Sequence, residues 1–66
     1  MSERISRRDA IVEAASQLFT RQGYVGTSVR QIAEAVGVTE AALYYHFKEG
    51  KRELLSAVLA EHMPDF

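Results

Sequence analysis

The sequence contains no cysteine, so neither a disulfide framework nor a thiolate zinc site can supplement its core, and helix packing must hold the fold alone. Length is also in short supply. A chain of 66 residues is one domain at most and removes only about 60% of its unfolded surface on folding, which leaves no room for a catalytic cleft beside the core. Paired carboxylates, a nucleophile beside a base and a phosphate-cradling loop are all missing, so the sequence reads as a non-enzyme with no catalytic residues and no cofactor. No apolar run approaches the ~18 residues of a membrane span, and the N-terminus lacks the apolar stretch of a signal peptide; the expectation is a cytoplasmic chain with no membrane partner. A basic excess is missing too. The formal net charge is -1, which by itself gives no electrostatic footprint for a nucleic acid.

What is present is the composition of a folded domain, with 47% hydrophobic and 26% charged residues, against the low hydrophobicity and high net charge of a disordered chain. Charge is segregated. Arg4, Arg7 and Arg8 crowd the start and Lys48, Lys51 and Arg52 form a second cluster, while Glu13, Glu34, Glu61 and Asp65 fall outside both. The first cluster reads either as a solvated start or as a basic arm that follows a groove.

Capping and periodicity predict an all-α fold. Ser6 caps a first helix, with Asp9 three residues on, and Ile11, Ala14, Ala15, Leu18 and Phe19 recur at helical spacing until Gly23. After the break from Gly23 to Gly26, Ser28 and Gln31 stand in capping-box spacing ahead of Val29, Ile32, Ala33 and Val36, with Thr27 as a competing cap. Gly37 marks a sharp turn, because only a residue without a Cβ enters the left-handed region cheaply. Thr39 caps a third helix, Val38 and Leu43 have the spacing of a hydrophobic staple, and Leu43 and Phe47 share one face as buried anchors. The opposite face carries Ala41, Tyr44, Tyr45 and Lys48. A fourth helix, about 51–63, sets Leu54, Leu55, Val58, Leu59 and Met63 on one stripe before Pro64.

Residues 28–47 have helix-turn-helix spacing. Two short helices cross steeply at close range only if the first offers a small side chain, here Ala33, and the turn tolerates positive φ, here Gly37. The stretch "TSVRQIAEAVGVTEAALYYHF" from Thr27 to Phe47, its continuation "KEGKRELLSAVL" and the earlier "AIVEAASQLFTRQGY" resemble the TetR-type transcriptional repressors. The resemblance runs from about Arg8 to Leu59. It implies a three-helix DNA-binding domain over 1–66 plus the start of a connecting fourth helix, with the third helix inserted in the major groove of double-stranded DNA.

The resemblance also implies roles for individual residues. Thr27, Thr39, Tyr44, His46 and Lys51 match positions that hold phosphates, Ser28 shares the role given to Thr27, and Lys48 adds a cation on the same face. Glu40, Ala41 and Ala42 match the base-reading part of the third helix, assisted by Arg30 and Tyr45. Chemistry sets a plainer alternative beside each: Glu40 complements the helix dipole, Arg30 is a solvated helix residue, and the tyrosines are packing aromatics. Relatives of this type continue into a larger helical domain that binds inducer and forms a homodimer on a palindromic operator, so the expectation is a DNA-binding part that lacks those functions.

Two further readings compete. His46 and His62 are far apart with no repeated ligand spacing, which leaves no metal site to propose. The fourth-helix stripe offers a different class of function, a helical protein-interaction module that uses Leu55, Val58, Leu59 and Met63.

Overall fold

The computed structural model describes residues 6–62. They form four helices, α1 (Arg7–Gln22), α2 (Val29–Val36), α3 (Glu40–His46) and α4 (Lys51–His62), and no strand among the described residues. Each of the first three starts where a hydroxyl side chain satisfies an otherwise orphaned amide. Ser6 Oγ accepts from Asp9 N at 3.1 Å and Thr39 Oγ1 accepts from Ala42 N at 3.0 Å. At α2 the box is reciprocal: Ser28 Oγ accepts from Gln31 N at 3.1 Å and Gln31 Oε1 accepts from Ser28 N at 3.0 Å. Ser28, not Thr27, is therefore the cap.

Gly37 ends α2 in the left-handed region, with φ 89° and ψ 29°. Its amide and that of Val38 both donate to the Ala33 carbonyl, at 2.8 and 3.0 Å, so the chain reverses within two residues and α3 starts beside the end of α2. Ala33 is buried and small at this crossing.

The core consists of Ile11, Val12 and Ala15 from α1, Ile32 and Ala33 from α2, Leu43 and Phe47 from α3 and its cap, and Leu54 from α4. α1 packs against both α2 and α4, and α2 against α3. Because α1 lies between two partners its buried stripe is broad, which brings in Val12 beside the expected Ile11 and Ala15. Leu18 and Phe19 sit half-buried at the margin of the core. Arg7 and Arg8 are exposed residues of α1; the Arg8 guanidinium lies 5.3 Å from the centre of the Phe47 ring and 3.5 Å from the Asp9 carboxylate. Arg4, Met63, Pro64 and Asp65 lie outside the described residues.

The fourth-helix stripe is mostly turned inward. Leu54 is buried, Leu55 and Val58 are half-buried, and Leu59 is 49% exposed.

Candidate nucleic-acid interface

The polarity of α3 is fixed by its anchors. Leu43 and Phe47 are buried, and the four-residue spacing that takes them to the core turns Ala41, Tyr44, Tyr45 and Lys48 outward. Tyr45 is 77% exposed and Tyr44 43%, large rings left in water on one side of a small domain. Glu40 is exposed in the first turn, and Ala42 is half-buried with its amide committed to Thr39. His46 is half-buried; its ring meets Tyr45 edge-on at 5.2 Å and lies 6.4 Å from Phe47.

Beside this face the start of α2, the start of α3 and the start of α4 enclose an open cleft of about 600 Å³. Ser28, Arg30, Glu40, Tyr44 and Lys51 line it together with Thr27. Six of the expected site residues, from three elements, are thus brought together, while Thr39, Ala41, Ala42, Tyr45, His46 and Lys48 lie outside the cleft along α3 and its ends. Val25, 90% exposed, stands at the rim. Arg30 and Glu34 form an exposed pair one helical turn apart, 3.3 Å between Nε and Oε2.

Tyr44 owes its place to Gly50, which has φ +69°. The ring lies along the glycine backbone, where a side chain would stand in its way.

Thr27 requires a correction. It is 1% exposed, and its hydroxyl donates to the Gly23 carbonyl at 2.8 Å. A hydroxyl sealed inside the turn and already spent on a carbonyl is not available to a phosphate; Thr27 holds the turn together from within, and the neighbouring Ser28 is the exposed hydroxyl.

Lys51 was expected at a phosphate and has internal partners as well. Its ammonium donates to the carbonyls of Tyr24 and Thr27, both at 2.8 Å, and sits 4.3 Å from the centre of the Tyr24 ring. The α1 side of the same turn is tied by Gln22, whose amide nitrogen donates to Gly26 O and to Gln31 Oε1, both at 3.0 Å. Sequence patterns signalled neither Gln22 nor Tyr24, because their partners belong to other elements.

The remaining surface differs in character. A hollow of about 620 Å³ that shares no residue with the cleft is lined by apolar residues that include Ala14, Leu18 and Val36 and by charged residues of both signs, Asp9, Glu13, Glu61 and Arg21. Among the described residues no group of three or more His, Cys, Asp or Glu is placed to hold a metal ion, and no helix is long and apolar enough to cross a membrane. The side chain of His62 lies outside the described residues.

Comparison with known proteins agrees with this geometry. Residues 11–58 match the sequence profile of the family described as bacterial regulatory proteins, tetR family. The HTH-type transcriptional regulator LmrA of Bacillus subtilis is 47% identical over 47 residues, which cover 71% of this chain and 25% of that protein. The tetracycline repressor protein class C of Escherichia coli is 46% identical over 57 residues, 86% of this chain and 25% of the repressor. The HTH-type transcriptional repressor KstR2 of Mycolicibacterium smegmatis is 36% identical over 62 residues, 94% of this chain and 30% of that protein. The chain thus spans between a quarter and a third of the length of these relatives. No solved structure matches it. The four-helix arrangement, the helix-turn-helix crossing at Ala33 and Gly37 and the match over 11–58 together place this chain in the tetR family of bacterial regulatory proteins.

Proposed function

We propose that the chain binds double-stranded DNA through insertion of α3 into the major groove, as the DNA-binding part of a transcriptional repressor, and carries no enzymatic activity. The observation that carries this reading is the exposed face of α3, where Ala41, Tyr44, Tyr45 and Lys48 stand free while Leu43 and Phe47 bury the opposite side. Relatives named as transcriptional regulators and repressors support it.

On this reading Ser28, Thr39, Tyr44, His46 and Lys48 hold the phosphate backbone. Lys51 retains one ammonium proton beyond the two given to carbonyls. Glu40, Ala41, Ala42, Arg30 and Tyr45 face the bases. The two alanines bring the helix backbone close to the base edges and can touch a thymine methyl but supply no hydrogen-bond code, so discrimination falls on few groups. Arg30 suits the paired acceptors of guanine, and Glu40 accepts from cytosine N4.

The described residues measure 29 Å along their longest axis, less than the ~34 Å that separates the half-sites of a two-fold operator. One copy therefore covers one half-site. Use of a palindromic operator requires a second copy, which we assign to a homodimer acting in the cytoplasm.

Selection from a random duplex pool tests the reading. The expected result is enrichment of a short motif whose affinity falls steeply with salt as phosphate counterions are released. No enrichment even at low salt would overturn it.

A further inference from the structure

We infer that Lys51 is a positioning residue for DNA binding: its ammonium clamps the α1–α2 turn to the start of α4 and thereby fixes where Ser28 and the first turn of α2 stand relative to α3. The inference rests on the DNA-binding reading above and deepens it.

Three contacts define the clamp. Lys51 Nζ donates to Tyr24 O and to Thr27 O, both at 2.8 Å across 27 and 24 residues of sequence, and stands 4.3 Å from the centre of the Tyr24 ring. That ring is itself braced, with its centre 5.3 Å from that of Phe19. The ammonium is thus desolvated on one side by an aromatic face and by two backbone acceptors, a setting in which a compact tetrahedral donor is needed. A guanidinium keeps the charge but is larger and planar, with its N–H donors fixed in one rigid plane, so it does not fit where a single compact nitrogen sits over the Tyr24 ring and between two carbonyls.

The clamp is continuous with α3. Gly50, which precedes Lys51, supports the Tyr44 ring, so the face of α3 and the anchor of the turn meet at adjacent residues. The turn leads at once into Ser28, whose amide is held by Gln31, and Gln31 in turn by Gln22. Displacement of the Lys51 ammonium leaves Tyr24 O with the Thr27 amide alone, frees the Thr27 carbonyl, and lets the start of α2 shift against α3. DNA affinity then falls through lost geometry, which the charge at residue 51 does not restore.

The test compares the wild-type chain with Lys51→Arg and Lys51→Met on a duplex enriched from a random pool, over a range of salt. Backbone amide shifts of residues 23–31 are recorded without DNA. Both variants are expected to perturb those shifts and to bind about tenfold more weakly, with Arg no better than Met. Wild-type affinity in Lys51→Arg, together with a salt slope lowered by about one in Lys51→Met, overturns the inference in favour of a simple phosphate cation. If a Lys51 variant loses its helical circular dichroism, Tyr24→Leu takes its place: it removes the ring under the ammonium and leaves the charge. A loss of affinity with shifts in the same residues supports the clamp, and unchanged affinity and shifts overturn it. The shifts also separate two failures. Unperturbed shifts sink the clamp even where DNA binds; a wild-type chain that enriches no duplex, with shifts still perturbed in the variants, sinks the DNA-binding reading and leaves the clamp standing.

Discussion

The Tyr44 ring lies so close to Gly50 that a Cβ at residue 50 would stand 3.0 Å from Tyr44 Cε1 and 3.3 Å from its hydroxyl oxygen. The backbone there is left-handed as well, with φ +69°. Gly50→Ala therefore meets both a strained backbone and a ring that must move, and is expected to destabilise the fold by about 1–2 kcal/mol. Thermal unfolding checks this, with the midpoint expected to fall by roughly 4–8 °C per kcal/mol in a domain of this size. Affinity for the enriched duplex should fall further than in a surface variant of equal stability, because Tyr44 is displaced.

Thr27→Val keeps the shape of a buried side chain and deletes the hydroxyl that donates to Gly23 O. A loss of about 1–2 kcal/mol in stability is expected, from one carbonyl left without its partner. Affinity for the enriched duplex, measured where the variant is fully folded, should equal that of the wild type. A loss of affinity in folded Thr27→Val would restore the direct phosphate role that burial argues against.

Among the described residues Arg30 is paired only with Glu34, and both side chains are more than half exposed. Arg30→Ala should leave stability within about 0.5 kcal/mol of wild type, since exposed pairs one turn apart contribute little. Its effect on DNA should be confined to a single position: a loss of about 1–3 kcal/mol on the selected motif and near-equal binding to all four bases there. Titrations against single-base variants of the motif read this directly.

Lys48 is exposed beside α3. Lys48→Ala is expected to lower the salt slope by about one and to weaken binding to every sequence alike. An unchanged slope would remove Lys48 from the phosphate-contacting set.

Local chemistry was legible in the sequence because it acts over three or four residues. The hydroxyls of Ser6, Ser28 and Thr39 each cap a helix from a position the sequence marks, and Gly37 adopts the left-handed turn its place demanded. Leu43 and Phe47 likewise follow from spacing alone. Where tertiary contact decides, the sequence was silent. The box spacing with Gln31 marks Ser28 as a cap, but nothing in the order of residues shows that the adjacent hydroxyl of Thr27 is sealed under the turn. Nor does any periodicity join Lys51 to carbonyls 24 and 27 residues upstream. Spacing places the α4 residues on one stripe, but tertiary contact decides how deep each sits: Leu54 is buried in the core and Leu59 is left half in water.

On α3 the residues that secure the fold and those that meet solvent are separate sets. Thr39 caps, Leu43 and Phe47 are buried, and Glu40, Ala41 and Tyr45 stand exposed. Replacements at exposed positions of this kind usually change stability by no more than about 0.5 kcal/mol. Descendants of this chain can therefore exchange the outer residues of α3 one at a time without loss of the folded state, and under the proposed reading of α3 new DNA preferences can evolve on an unchanged scaffold.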